Sequence, residues 1–327
     1  MLTAELRRAI LTAAGRLDAD PLLRPGPGPG HYASSLPFRL GGPPAQAAAA
    51  LAARLTNEPW IAAAEPTGPG YVTVTVTREA LAGLATRIPQ AGPACAASDA
   101  LHGRTVTAPA AADLAEQDWP GARAALAAEL TARLAATAGA TIIFDAERSV
   151  VPAPASLTPA PAEPDSLAYA RWYAGPDSVR FALARMPPGH AEPPRAAQIA
   201  RHLIANPAYA VRYAHAAAAA VLRWAAALGS VPAGFSPRLL TAPPELALLD
   251  ALSWLPERVA MAARRGRPDE FAGYLEELAA RTIDTMSTTG FTTISSISSE
   301  RLWLADAART GLAAGLGLLG ISAPNRL

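Results

Sequence analysis

Proline limits the folding of this chain more than any other residue type, since it accounts for 32 of the 327 residues. It has no backbone N–H and a fixed φ, so at this density it is confined mainly to linkers and helix starts. The densest run, VPAPASLTPAPAEPD at 151–165, predicts a linker with polyproline character. Together with changes of pattern along the chain, this run divides the sequence into segments 1–92, 93–165 and 166–327.

Segment 1–92 alternates helical and strand patterns. Apolar residues recur at helical spacing over 2–17, a Pro-Pro pair opens a second helix at 43–55, and β-branched residues alternate with polar ones over 71–77. The stretch 25–30 (PGPGPG) looks like a phosphate-cradling glycine loop, but its prolines lack the N–H donors that such a loop needs. We interpret this stretch as a stiff connector, and the segment as an α+β domain.

The other two segments follow different patterns. In 93–165, a strand at 104–107, a helix at 121–138 and a strand at 141–144 predict a parallel β-α-β pair, a truncated α/β unit. In 166–327 the pattern is helical throughout, with prolines at several helix starts and glycines near several ends. This segment predicts an all-α bundle with helices at 166–174, 195–205, 207–228, 244–264, 268–288 and 300–319.

All 28 cationic residues are arginine, because the chain contains no lysine. Chemistry that needs a lysine ammonium, such as a Schiff base, is therefore excluded, whereas arginine suits bidentate binding of phosphate. Residues 1–165 carry 12 arginines and 15 acidic residues, a net charge of −3, and residues 166–327 carry 16 and 12, a net charge of +4. Residues 193–244 contain five arginines and no acidic residue. A field of that sign attracts phosphate, although surface arginine also serves solubility alone.

The cysteine count and the apolar runs bear on the compartment. Cys95 is the single cysteine, so no disulfide forms within the chain and a reducing compartment is expected. Residues 1–20 are amphipathic and charged, unlike a signal peptide, and the longest apolar run, 214–229, is interrupted by Arg223 and too short to cross a bilayer. We expect a soluble, cytoplasmic protein with no membrane contact, no metal and no cofactor.

Two stretches of the third segment resemble a known family. Residues 206–215 (NPAYAVRYAH) resemble the opening of the DALR anticodon-binding domain of arginyl-tRNA synthetases, N-P-x-Y-x-x-Q-Y-A-H-A-R. Residues 315–327 (GLGLLGISAPNRL) resemble the usual end of that family, G-L-x-L-L-G-x-x-A-P-E-R-M. Shorter matches keep the order of the family, at 175–181, 244–249, 255–257 and 274–279.

The first segment is similar to the same family. GHYASS at 30–35 and GPGYV at 68–72 resemble motifs of its additional N-terminal domain. The resemblance implies this α+β domain at residues 1–92 and an all-α DALR bundle at residues 166–327. Between them, residues 93–165 are interpreted as a vestigial catalytic-domain remnant and a Pro-rich linker.

Candidate site residues follow from the resemblance. The family holds the anticodon arm of tRNA with its bundle and touches the outer corner of tRNA, near the D-loop, with its N-terminal domain. The resemblance therefore implies anticodon-arm contacts by Tyr209, Arg212, Tyr213, His215, Arg326 and Leu327, and D-arm contacts by Tyr32, Ser35 and Arg39. Arg223 lies eleven residues after Arg212, hence on nearly the same helix face, which suits a phosphate strand. Alternatively, Tyr209 and Tyr213 only pack against one helix face.

The activity of the family, arginine–tRNA ligation, needs parts that this sequence lacks. A class I synthetase core binds ATP with an H-x-G-H motif and a KMSKS lysine, but the five histidines never have that spacing and there is no lysine. If 105–142 is a remnant of the first β-α-β unit, Asp118 occupies the H-x-G-H position, where a carboxylate repels triphosphate. We therefore expect a non-catalytic tRNA-binding protein that presents or sequesters tRNA.

Two alternatives stay open at this point. The chain could be a regulatory subunit that binds a protein partner and has lost its affinity for tRNA, or it could retain residual arginine–tRNA ligase activity. Arg212 stands in place of the glutamine of the family, and His31 and Ser35 stand in place of its aspartate and asparagine. Recognition of arginine codons or of the D-loop is therefore not implied by the resemblance.

Overall fold

The first segment folds around a four-stranded antiparallel sheet in the order β1-β2-β4-β3. The computed structural model describes residues 1–17, 19–108, 114, 118–144, 163, 165–190, 192–293 and 297–327. The strands are β1 (Leu23–Pro25), β2 (His31–Ser34), β3 (Ile61–Thr67) and β4 (Tyr71–Val76). The helices are α1 (Leu2–Ala14), α2 (Pro44–Leu55), α3 (Arg78–Ala82) and α4 (Leu84–Ala91).

Local sequence explains most of this region. In β4 the valines at 72, 74 and 76 are buried and the intervening residues are not, as the alternating pattern predicts. Helix α1 ends three residues earlier than predicted, because Gly15 takes the left-handed conformation and caps it. The PGPGPG stretch is the turn that joins antiparallel β1 and β2, closed by the Gly26 N–H, which donates to the His31 carbonyl at 2.9 Å.

The second segment contains the predicted parallel β-α-β pair. Strands β5 (Thr105–Ala108) and β6 (Thr141–Phe144) pair in parallel and are joined through α5 (Trp119–Thr137). Asp118 caps α5, and its carboxylate accepts the Gly121 N–H at 2.8 Å. Apart from residues 163 and 165, the linker predicted at 151–165 lies outside the described residues.

The third segment is all-α, as predicted. Its helices are α6 (Leu167–Ala174), α7 (Pro176–Arg185), α8 (Ala196–Ile199), α9 (Pro207–Ala227), α10 (Pro243–Ser253), α11 (Leu255–Arg265), α12 (Pro268–Met286), α13 (Thr289–Thr292) and α14 (Ser299–Leu318). Helix α9 packs against both α12 and α14. Within the described part of the chain, no helix is both long and apolar enough to cross a membrane.

Two helix predictions for the third segment need correction. The helix expected at 244–264 is two helices, α10 and α11, because Pro256 has no N–H to continue the ladder. The helix expected at 195–205 shrinks to α8. The Asn206 amide donates to the carbonyls of Ile199 and Arg201 at 2.9 and 2.7 Å, and Pro207 disfavours helical backbone at residue 206. Helix α7 was not predicted, although Gly175 and Pro176 are a usual helix start.

The sheet region docks onto the bundle through a buried seam at residues 250–257. The Thr3 hydroxyl donates to the Ser253 carbonyl at 2.6 Å, and the Tyr32 hydroxyl lies 2.8 Å from the Ser253 hydroxyl. The Gly30 N–H donates to the Asp250 carboxylate at 2.9 Å. On the far side of the seam, α4 packs against α14.

A buried ion pair lies at the centre of this seam. Arg7 and Glu257 are 3.3 Å apart, with side chains only 4% and 3% exposed. Asp20 contacts Arg7 at 3.0 Å and also pairs with Arg264. Burial raises the pKa of Glu257, and the nearby Arg7 opposes that rise. Loss of Arg7 would leave the buried Glu257 carboxylate with only the more distant Arg264, 3.9 Å away, which is costly.

The contribution of the buried Arg7–Glu257 pair can be compared with that of an exposed ion pair made by the adjacent Arg8. We expect Arg7→Met to lower the free energy of unfolding by about 3–5 kcal/mol, because Glu257 loses the closer of its two arginine partners. Arg8 pairs with Asp99, but the two side chains are 65% and 51% exposed, so Arg8→Met should cost about 0–1 kcal/mol. Urea denaturation at pH 7 measures both. Equal losses would show that the Arg7–Glu257 pair does not hold the seam.

Candidate nucleic-acid interface

Helix α9 (Pro207–Ala227) lies at the centre of the candidate site. One of its faces is buried in the bundle, and the opposite face carries aromatic rings. Val211, Ala214, Ala218 and Ala225 are fully or almost fully buried. Alanine side chains are short, so the helix lies close to its neighbours α12 and α14. The opposite face is left free for larger side chains.

Three rings stack along this opposite face. The His202 and Tyr209 rings are 5.2 Å apart at an interplanar angle of 12°, and the Tyr209 and Tyr213 rings are 5.7 Å apart at 25°. We call His202, Tyr209 and Tyr213 the aromatic column. Tyr213 is 38% exposed, and farther along the helix Trp224 is 59% exposed. Such exposed ring faces are the platforms on which unpaired nucleic-acid bases stack.

A groove of about 460 Å³ runs beside the aromatic column. Tyr209, Tyr213 and Trp224 line one side of it. Ile283 and Met286 of α12 line another side, and the last three residues, 325–327, complete it. The groove thus joins aromatic rings, apolar side chains and a terminal arginine.

The chain end is fastened across α9 by three side chains of that helix. Arg212 donates to the Ser322 hydroxyl at 3.4 Å and lies 3.7 Å from Asp177. The His215 Nδ1 lies 3.0 Å from the Pro324 carbonyl, and Arg223 donates to the Asn325 carbonyl at 2.5 Å. We call these contacts of Arg212, His215 and Arg223 the tail clasp. They hold Arg326 and Leu327 at the groove.

The structure assigns different tasks to the residues predicted from the third segment. Tyr209, Tyr213, Arg326 and Leu327 line one groove together with Arg223. His215 is 2% exposed and is not placed to contact RNA as predicted. Its side chain instead holds the chain end through the Pro324 carbonyl. Arg212 and Arg223 do share a face, but both bind the chain end instead of lying open for a phosphate strand.

The residues predicted in the first segment do not form one surface. Tyr32 is fully buried and packs on Trp254 with ring centroids 5.3 Å apart, so its predicted D-arm contact is wrong. Ser35 is half-buried and precedes the 3₁₀ helix Leu36–Arg39. Arg39 is exposed. Of these three, only Arg39 extends into solvent.

Two residues of the site were not among those predicted. His202 starts the aromatic column, and Trp224 borders the groove one turn from the end of α9. Both lie in the stretch 193–244, which has no acidic residue, and this feature of the sequence was the one signal that could have pointed to both of them. The spacing of His202 from Tyr209 gave no further hint, because residues 200–205 are not helical. Trp224 lies eleven residues after Tyr213 in α9, the same spacing that places Arg212 and Arg223 on one face.

Residues 211–327 match the DALR anticodon binding domain family. The chain therefore carries a DALR domain. The arginine–tRNA ligase of Clavibacter sepedonicus is 40% identical over 158 residues, which are 47% of this chain and 28% of that protein. That of Renibacterium salmoninarum is 39% identical over 158 residues, 47% of this chain and 29% of that protein. The chain is homologous to arginyl-tRNA synthetases, but the matched region spans less than a third of these relatives.

A solved structure has a similar fold. The solved arginyl-tRNA synthetase of Thermus thermophilus has a TM-score of 0.69 and 15% identity, with 100% of both chains covered. At this identity the likeness concerns the fold alone. The predicted fold class, an α+β region and a small α/β unit followed by a DALR helical bundle, is confirmed.

The tail clasp of the DALR domain should respond to pH through His215. Burial lowers the pKa of His215 more than its hydrogen bond to the Pro324 carbonyl raises it. Below the usual histidine pKa, near 6.5, the unfolded chain therefore binds more protons than the folded one, so stability falls as pH falls. We expect His215→Gln, which keeps a donor and does not titrate, to lose less stability between pH 7 and pH 5. Thermal unfolding of the wild type and the variant across this pH range measures the loss of stability. If the two proteins lose stability in parallel, the pH dependence does not come from His215.

Proposed function

We propose that this chain binds tRNA through its DALR domain, does not activate an amino acid, and presents or sequesters tRNA for another process. The observation that carries this proposal is the aromatic column beside the groove that the chain end completes. Tyr213, Trp224 and the residues that complete the groove lie within 211–327, the region that matches the DALR anticodon binding domain family.

The chemistry of the groove suits an anticodon loop. Unpaired bases in such a loop turn outward and stack on aromatic rings or guanidinium planes. Tyr213 and Trp224 offer exposed rings, and Arg326 offers a guanidinium at the same groove. Because residues 193–244 contain no acidic side chain, little in this stretch repels the phosphates on either side of a stacked base.

The tail clasp supports binding by ordering the chain end in advance. An unfastened segment at 325–327 would lose conformational freedom when it closed on a ligand, and this loss would weaken binding. Here Arg223 and His215 already hold Asn325 and Pro324, so the two residues that follow are kept at the groove. Arg212, Arg223 and His215 therefore act as positioning residues for Arg326 and Leu327.

The absence of activation chemistry is the second part of the proposal. Forming an aminoacyl adenylate requires positive charge around a reacting phosphorus atom. The sequence has no H-x-G-H motif and no lysine. In the described part of 93–144 there is one β-α-β unit, and Asp118 is engaged in capping its helix.

Two exposed tyrosines with the same local setting allow a matched test of tRNA binding. Tyr213 stacks on Tyr209, and Tyr173 stacks on Tyr169, each pair four residues apart along a helix. We expect Tyr213→Ala to weaken tRNA binding by about 1–3 kcal/mol, the usual contribution of one base stacked on a ring. Tyr173→Ala should leave the affinity unchanged, because this ring lies outside the groove.

Filter binding with total tRNA at low and moderate salt measures these affinities. The wild-type affinity should fall steeply with salt, as for any protein that displaces counterions from phosphates. No binding by the wild type at low salt would contradict the proposal and favour a subunit that binds only a protein partner. Equal effects of the two tyrosine substitutions would instead show that the groove is not the binding surface.

Activation is tested separately. We expect no exchange of pyrophosphate into ATP above background when the chain is given arginine, with or without tRNA, because the sequence has no H-x-G-H motif and no lysine, and Asp118 caps the helix of the β-α-β unit. A bacterial arginyl-tRNA synthetase assayed in parallel provides the positive control. Exchange that depends on tRNA and arginine would show that the chain retains ligase chemistry and would overturn this part of the proposal.

A further inference from the structure

A second basic surface lies next to the seam between the sheet region and the bundle, and none of its described lining residues belongs to α9. It is a cleft of about 940 Å³ between α1, the 3₁₀ helix Leu36–Arg39, the start of β5 and the end of α11. We call it the arginine cleft, after the arginines that line it: Arg7, Arg8, Arg16, Arg39, Arg104 and Arg264. His102 also lies on its wall.

The charge in this cleft is strongly unbalanced. Its described lining contains six arginines and two acidic residues, Asp20 and Asp99. Arg7 and Arg264 also pair with the buried Glu257 behind the cleft, so six arginines and three carboxylates leave a net charge of +3. Asp20 is engaged by Arg7 and Arg264, and Asp99 is engaged by Arg8. This excess stands in contrast to residues 1–165, whose net charge is −3.

Two of the arginines are not neutralised at all in the described part of the chain. Arg39 and Arg104 are exposed and have no acidic partner among the described residues. They come from separate elements, the end of a 3₁₀ helix and the residue before β5. Like charges repel, so their shared cleft is electrostatically unfavourable until an anion enters it.

We propose that the arginine cleft binds closely spaced phosphate groups, supplied either by an RNA strand or by a free polyphosphate. One guanidinium group can donate two hydrogen bonds to two oxygens of the same phosphate. Several arginines around one cleft therefore suit a ligand with several phosphate groups. The cleft volume of about 940 Å³ is within the range of sites that bind small-molecule ligands. The cleft shares no lining residue with the groove of α9, so this proposal does not rest on the anticodon loop binding there.

The first test uses inorganic tripolyphosphate as the probe and isothermal titration calorimetry as the measurement. The variant Arg39→Gln with Arg104→Gln removes two exposed charges, and Arg24→Gln with Arg78→Gln removes the same charge from exposed positions outside the cleft. We expect the wild type and the control variant to bind tripolyphosphate. The cleft variant should bind about tenfold more weakly or worse, since one hydrogen bond to a charged group contributes about that factor. Unchanged melting temperatures without ligand confirm that all three proteins fold.

The second test separates the two sources of phosphate with total tRNA. If an RNA strand occupies the cleft, the cleft variant loses tRNA affinity and its slope of log affinity against log salt falls by about 2, one for each lost phosphate contact. If a free polyphosphate is the ligand, tripolyphosphate binding falls while the tRNA slope stays as in the control. Failure of the wild type to bind tripolyphosphate, or equal binding by the two variants, overturns the proposal. Neither result depends on Tyr213, so it leaves the anticodon-loop proposal to its own test.

Discussion

The sheet region and the helical bundle are joined by a buried seam, and the arginine cleft depends on it. Arg7 reaches across the seam to Glu257, and the hydroxyl of Tyr32 meets that of Ser253. Two charges removed from water are tolerated only as a satisfied pair, so these contacts favour one relative position of the two regions. In that position the arginines of three distant parts of the sequence face a common space, which none of those parts forms alone.

Helix α9 divides its residues between three tasks. Its alanines and valines bury the helix in the bundle, its polar residues Arg212, His215 and Arg223 fasten the chain end, and Tyr209 and Tyr213 form part of the aromatic column. Both arginines of this helix are thus engaged within the chain, Arg212 by Ser322 and Asp177 and Arg223 by the Asn325 carbonyl. Under the proposed function, the exposed rings and residues 326 and 327 would contact the nucleic acid, an arrangement that suits unpaired bases better than a duplex backbone.

Much of the fold could be predicted from local patterns, whereas the site could be predicted only in part. The alternating valines of β4 and the β-α-β order of residues 105–144 are properties of neighbouring residues, so periodicity revealed them. Tyr32 lies in a family motif, but its burial depends on Ser253, more than 200 residues away. The eleven-residue spacing of Arg212 and Arg223 correctly indicated a shared face. It could not reveal that the partner of that face is the chain end, which only the packed bundle brings there.

Chemical footprinting of tRNA in complex with the intact chain tests the central claim most directly, because it locates the contact on the nucleic acid itself. If unpaired bases enter the groove beside the aromatic column, nucleotides of the anticodon loop become protected as the complex forms. Binding that protects other parts of tRNA and leaves the anticodon loop as reactive as in free tRNA would contradict the account.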